Sequence, residues 1–146
     1  MGSEPEMEQV YDVFICYSSL DREWVKNTLL KELESCDIKA CIDFRDFVVG
    51  AYIVENIADA IYRTRKTIAV LSPDFMESVY CKHELKTALS RMANHQVIPV
   101  LYRPCDVPQN LKNKTYLDWC HADVRPYFWD LLVQAIQKDS KQDIKL

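Results

Sequence analysis

Residues 11–17 read Tyr-Asp-Val-Phe-Ile-Cys-Tyr, a nearly continuous apolar run that is long enough for a β-strand and short for a helix. Such a run is typical of a strand that is buried on both faces of a parallel sheet. Residues 18–21 then offer side chains that can cap a helix. The apolar residues of that helix, Val25, Leu29 and Leu33, recur with helical spacing. The chain therefore begins with a strand followed by a helix.

Four more apolar runs follow, and helical patterns separate most of them. The predicted strands are residues 39–42, 67–71, 97–102 and 115–117. The apolar helical positions are Val54, Ile57, Ala58 and Ile61, then Leu85, Ala88, Leu89 and Met92, then Phe128, Leu131, Leu132, Ala135 and Ile136. Pro99 has no N–H to give to a ladder, which favours a place near the sheet edge. The pattern predicts a flavodoxin-like three-layer α/β fold, with a five-stranded parallel sheet in the order 2-1-3-4-5 and helices on both faces.

The length of 146 residues suits a single domain. We expect residues 10–137 to form it, after a disordered or vector-derived segment, residues 1–9, and before a polar tail, residues 138–146. The six cysteines show no C-x-x-C spacing, which favours free thiols in a reducing compartment. No apolar run approaches the roughly 20 residues of a membrane helix, and the start of the chain lacks signal-peptide features. We expect a cytoplasmic chain without direct membrane insertion.

Charge and glycine content argue against several function classes. The chain carries 18 Lys+Arg against 22 Asp+Glu, with no dense basic cluster beyond residues 63–66, so nucleic acid is not an expected partner. Nucleotide-binding loops need several glycines, whereas the predicted domain has one, Gly50. A phosphate-accepting receiver domain needs clustered carboxylates at strand ends, but Asp12 opens its strand and Asp43 has no acidic neighbour. No spacing resembles a structural zinc site, so we expect no metal and no cofactor.

The segment after the second strand is the predicted functional site. In an open α/β sheet, ligands bind beyond the carboxyl ends of the strands, here residues 18–19, 43–50 and 72–73. Residues 47–49, Phe-Val-Val, are apolar between polar neighbours, although loops run over the surface. An exposed apolar loop is typical of a docking site. The predicted protein contacts are Arg45, Asp46, Phe47, Val48, Val49 and Gly50.

Several segments resemble the Toll/interleukin-1 receptor (TIR) domain family. Residues 11–18, 45–50 and 128–129 are similar to its three sequence boxes, in the same order. Residues 78–85, Ser-Val-Tyr-Cys-Lys-His-Glu-Leu, resemble its S-x-W-C-x-x-E-L segment with Tyr in place of Trp. Residues 113–119 are similar to Toll-like receptor tails in particular. The resemblance implies the flavodoxin-like fold and an interaction and oligomerisation role in innate-immune-type signal transduction.

In that family the segment that matches residues 43–52 is the BB loop, a principal contact in TIR-to-TIR assembly. The resemblance therefore implies other TIR domains as partners, both copies of this chain and adaptors. It also implies a cytoplasmic chain, or the cytosolic tail of a membrane receptor. Val49 stands where Toll-like receptors usually have Pro, so we expect the φ-restricted loop shape to be lost. Arg45 and Asp46 could equally form a surface ion pair of small energy.

An enzymatic alternative stays open. Some TIR domains cleave NAD, as substrate, at the nicotinamide–ribose bond, and the matching carboxylate here is Glu84. Because the nicotinamide ring of NAD is already cationic, it departs as neutral nicotinamide without a general acid, and the oxocarbenium-like ribose requires mainly an anionic partner. Ser18 and Ser19 would then contact NAD. Glu84 could equally be a first-turn acid that favours its helix dipole, and a decoy that binds without signalling is a third alternative.

Overall fold

In the computed structural model of this protein, the described residues are 10–77, 96–107, 111 and 114–138. Glu84 and the predicted helix with Leu85, Ala88, Leu89 and Met92 lie outside the described residues.

Five parallel strands form one sheet in the order β2-β1-β3-β4-β5, which confirms the predicted topology. They are β1 (Val13–Cys16), β2 (Ala40–Cys41), β3 (Lys66–Leu71), β4 (Gln96–Leu101) and β5 (Leu117–Asp118). The longest ladder joins β3 and β4, from Lys66 opposite Gln96 to Leu71 opposite Leu101. β1 and β3 are buried over their whole length, which is why their apolar residues, 13–16 and 68–71, run without alternation.

Helical segments connect the strands. After a 3₁₀ turn (Ser19–Asp21), the helical run α1 passes through Arg22–Trp24, a wider π-helical stretch Val25–Leu30, and Lys31–Ser35. The other helices of the described residues are α2 (Asp43–Asp46), α3 (Ile53–Tyr62), α4 (Pro73–Glu77) and α5 (Phe128–Gln137), the last after a 3₁₀ turn Arg125–Tyr127.

The core has two halves, one on each face of the sheet. Val13 and Ile15 of β1 pack with α1 and α5 on one face. Phe14 and Cys16 pack with α3 and α4 on the other. This division follows from the two-residue period of a strand, and it gives the predicted three layers.

Two helices bury slightly different faces from those predicted. In α3 the buried residues are Ile57, Ala60 and Ile61, whereas Val54 is exposed and Ala58 only partly buried. The core on this face of the sheet includes Ile57 and Ile61 of α3 and does not include Val54, one turn earlier on the same face of the helix. In α5, Leu131 is exposed.

The fourth strand lies one strand in from the edge, as the predicted order requires, so Pro99 is near the sheet edge as expected. The edge strand is β5, at Leu117–Asp118 and not at residues 115–117, and it pairs only with Val100 and Leu101. Among the described residues, the preceding part of β4 therefore has a strand neighbour on the β3 side alone. Pro99 lies in this part, where its missing N–H removes no bond to β5.

The basic cluster at residues 63–66 is only partly on the surface, where Arg65 is exposed. Lys66 is buried, and its Nζ donates to the carbonyl of Ala135 at 2.5 Å and to that of Lys138. A cation at this position satisfies the last carbonyls of α5 and favours its dipole. Arg63, in the turn that follows α3, forms an ion pair with Asp59 of that helix, with Nε and Oδ2 3.0 Å apart. No disulfide joins the five described cysteines, and no described helix combines the length and hydropathy that a membrane crossing needs.

Candidate functional site

A polar triad ties the end of β1 to the start of α2. The Tyr17 hydroxyl donates to Asp43 Oδ1 at 2.6 Å and accepts from Arg22 Nε at 3.2 Å. The guanidinium of Arg22 also lies 5.7 Å from the ring centroid of Phe44. Burial, followed by the hydrogen bond to Asp43, raises the pKa of Tyr17. Tyr17 therefore stays protonated and holds the Asp43 carboxylate in place.

A second cluster joins the ends of β3 and β4 to the turn that precedes α1. The Asp21 carboxylate is fully buried and accepts from Ser72 Oγ at 2.5 Å and from Arg103. Arg103 also pairs with Asp74 at 2.8 Å. Ser72 Oγ also accepts from the Phe75 N–H at 3.1 Å, so Ser72 caps the short helix α4. Sequence reasoning missed the link between Asp21 and Arg103, because they lie 82 residues apart.

The two predicted NAD contacts differ in their surroundings. Ser18 is buried, and its hydroxyl accepts from the Leu20 N–H at 3.3 Å, so it caps the 3₁₀ turn. Ser19 is exposed. Glu84, the carboxylate that NAD cleavage would require, is not among the described residues. The NAD-binding roles of Ser18 and Ser19 stay predictions.

The predicted loop over residues 43–50 begins with a helical turn, α2, which the sequence interpretation did not include. The Asp46 carboxylate accepts from the Ile42 N–H at 2.9 Å, so a side chain near the end of the turn satisfies the backbone before its start. Asp43 and Asp46 both lie in the first turn of α2, where a negative charge interacts favourably with the helix dipole. The turn therefore depends on side-chain capping and not on an apolar periodicity that a sequence pattern would reveal.

Arg45 is anchored to three elements. Its guanidinium donates to Asp46 at 3.1 Å, to Glu34 at the end of α1 at 3.1 Å, and to the Ala40 carbonyl of β2 at 2.8 Å. The ion pair that the sequence allowed is therefore present, within a larger network. The network fixes the base of the loop, while the role of Arg45 and Asp46 in protein contacts stays a prediction.

The predicted exposed stretch is shorter than expected, because Phe47 turns toward the core. Its ring packs against the ring of Phe14, with the centroids 6.0 Å apart. Val48 is 63% exposed and Val49 is 100% exposed. The apolar tip of the loop therefore consists of Val48 and Val49 without Phe47.

A tight turn shapes this tip. The Ala51 N–H donates to the Val48 carbonyl at 3.3 Å, and Gly50 has a φ of 92°. The turn comprises residues 48–51. Positive φ at its third residue and negative φ at its second are typical of a type II turn, which favours Gly at the third position and Pro at the second. Val49 occupies that second position. Val49 is compatible with this turn, although it lacks the φ restriction that Pro would impose there.

The apolar surface continues from the tip into the first turn of α3. Tyr52, Ile53 and Val54 are each half or more exposed. Together with Val48 and Val49 they form a surface that we call the loop patch. Tyr52 is the last residue of the segment 43–52 that the sequence resemblance marks as a contact loop, whereas sequence reasoning missed Ile53 and assigned Val54 to the core. Contiguous exposed apolar surface is typical of interaction sites.

A concave surface lies at the other edge of the sheet. It is a cleft of about 490 Å³ between the start of β4, the segment before β5, and α5. Its apolar lining includes Val97, Pro99, Tyr116, Leu117 and Leu131. We call this cleft the edge groove. Among the described residues, the two-residue β5 pairs with only the last part of β4, and the groove lies beside the first part.

Comparison with known proteins identifies relatives over most of the chain. A family model described as the TIR domain matches residues 13–132. Toll-like receptor 2 of Ovis aries is 38% identical over 91% of this chain, which spans only 19% of that receptor. Toll-like receptor 2 of Capra hircus is 39% identical over the same shares.

Solved structures give the same result. The TIR domain of the Toll-related receptor TRR-2 from Hydra magnipapillata has a TM-score of 0.83 at 50% identity, covering 88% of this chain and 100% of that one. A metazoan TIR-STING receptor from C. gigas has a TM-score of 0.72 at 27% identity, covering 95% of this chain and 43% of that one. The chain therefore belongs to the TIR domain family.

Proposed function

We propose that this TIR domain is a signalling module that associates with other TIR domains through the loop patch. The loop patch is the observation that carries the proposal. Val49 is 100% exposed at its tip, and its other four residues are half or more exposed. An apolar surface of this kind is unfavourable in water unless a partner covers it. The Toll-like receptor relatives support a place in innate-immune signalling, in the cytosol or as the cytosolic tail of a receptor.

The edge groove supplies a matching surface for a second copy. The loop patch follows β2 at one edge of the sheet, and the edge groove adjoins β5 at the other. A contact between two different surfaces is heterologous, so each added copy leaves one loop patch and one edge groove open. Copies of this chain would then assemble head to tail, with weak single contacts that multivalency strengthens. An adaptor TIR domain with a similar groove would bind in the same way.

Substitution of Val49 tests the proposal. Val49→Asp places a charge on the tip without disturbing the core, so circular dichroism should stay native while self-association in light scattering is lost. Tyr62→Asp is the matched control, because Tyr62 is an exposed apolar residue at the far end of α3, about 14 Å along the helix from Ile53. The control should associate like the wild type. Unchanged association of Val49→Asp would exclude the loop patch.

A further inference from the structure

We infer that Asn56 is a positioning residue that sets the conformation of the loop tip and so assembles the loop patch. The inference deepens the proposed association and rests on it. Asn56 lies on α3 and is partly buried. Its side chain bonds both polar groups of a single backbone residue, Val48, which lies eight positions earlier in the chain.

The geometry of this contact is bidentate. Asn56 Oδ1 accepts from the Val48 N–H at 2.9 Å, and Asn56 Nδ2 donates to the Val48 carbonyl at 3.1 Å. A backbone N–H needs an acceptor and a carbonyl needs a donor, so the partners determine the orientation of the amide. Of the side chains of this length, only Asn offers a donor and an acceptor side by side at neutral pH.

Val48 needs such a partner because it is the first residue of the tight turn and lies outside every strand. Its carbonyl also accepts from the Ala51 N–H at 3.3 Å, so the same oxygen closes the turn. On the preceding side, Phe47 is held by its contact with Phe14. The chain leaves the core at Val48. The Asn56 amide therefore supplies the two backbone hydrogen bonds that a neighbouring strand would otherwise provide to this residue.

The same contact joins the two halves of the loop patch. Val48 and Val49 lie on the turn, whereas Tyr52, Ile53 and Val54 lie at the start of α3. The backbone N–H of Asn56 donates to the Tyr52 carbonyl at 3.0 Å, so Asn56 belongs to the first turn of the helix that carries the second half. Without the amide, the tip can move relative to α3. Binding a partner would then have to order the tip, and the entropy cost of that ordering would reduce the affinity.

Three variants test this role. Asn56→Ala removes both bonds, and Asn56→Asp keeps the shape but directs a carboxylate at the Val48 carbonyl. Asn27→Asp on α1 is the matched control, because it makes the same charge change at an exposed Asn. Sedimentation equilibrium should show association weakened about tenfold in both Asn56 variants, the factor that corresponds to about 1.4 kcal/mol. Amide exchange over residues 48–51 should accelerate in both, with little change in Tm. The control should match the wild type in both measurements.

A double variant separates positioning from a general structural role. Val49→Pro fixes φ at the second position of the turn, so it should restore most of the association lost in Asn56→Ala. A defect of α3 itself would not be rescued. Association and exchange like those of the wild type in Asn56→Ala would overturn the inference. If the wild type does not associate at any concentration, the proposed function fails, and unchanged amide exchange over residues 48–51 would then overturn the Asn56 inference separately.

Discussion

Phe47 packs its ring against that of Phe14, with the centroids 6.0 Å apart, so the base of the loop is attached to the first strand of the core. The next two residues, Val48 and Val49, are exposed. Within the apolar stretch 47–49, Phe47 therefore packs against the core, whereas Val48 and Val49 lie on the surface. The loop tip is presented to solvent on a fixed base.

Phe47→Ala should destabilise the fold, because it removes the contact with Phe14 and opens space beneath the loop. We expect the free energy of unfolding to fall by about 2 kcal/mol, less than for a fully buried ring because Phe47 is only partly buried. Urea unfolding measures the change. The matched control is Phe44→Ala, whose exposed ring faces Arg22 and should cost at most about 1 kcal/mol. Equal losses in the two variants would contradict the anchoring role of Phe47.

A mixing experiment tests the head-to-tail arrangement. Val49→Asp disables the loop patch, and Leu131→Asp disables the edge groove, so each protein alone should stay monomeric. Each still carries one intact surface. An equimolar mixture should therefore form a one-to-one complex that cannot grow, as measured by light scattering. If the contact instead joined two loop patches, Leu131→Asp would associate like the wild type and mixing would produce no new complex.

Stability should fall at alkaline pH through Cys41. Burial, with the nearby Asp46 carboxylate, raises the pKa of Cys41 to about 12 from 9.0. Because the folded-state pKa is the higher one, the stabilisation is complete below pH 9 and is lost as pH rises from there toward 12. The slope contributed by one such group is at most about 1.4 kcal/mol per pH unit.

Urea unfolding from neutral pH to about pH 10 measures this slope. The Cys41→Ala variant should lose less stability between pH 9 and pH 10 than the wild type, whatever its stability at neutral pH. Cys36→Ala, at an exposed cysteine, should keep the wild-type slope. Identical slopes in all three proteins would show that ionisation of Cys41 is not linked to unfolding.

We expect no release of nicotinamide when the concentrated protein is incubated with NAD. Two carboxylates near the carboxyl ends of the strands are already held: Asp43 by Tyr17 and Arg22, and Asp21 by Arg103 and Ser72. Glu84 is then the carboxylate on which cleavage would depend. Chromatography of NAD and nicotinamide under conditions that promote assembly provides the measurement. Release by the wild type that disappears in Glu84→Ala would make this domain an enzyme.

The elements that sequence reasoning predicted well are those with a local signal. The strand at residues 11–17 is continuous in apolar residues because both faces of β1 are covered. The turn after β3 was predictable because Ser72 and Pro73 are adjacent and each suits a helix start. By contrast, α2 depends on a bond from Asp46 to the Ile42 N–H, for which no apolar periodicity exists.

The sequence by itself determined the layered α/β fold and the family, since strand and helix periods and short motifs are properties of neighbouring residues. Only the tertiary structure decided which side chains of the loop reach solvent. Phe47 is held by Phe14, Val48 by Asn56, and Arg45 by Glu34 and Ala40. Burial and hydrogen bonding of this kind depend on residues that folding brings together from separate elements, and a linear pattern does not record those distances.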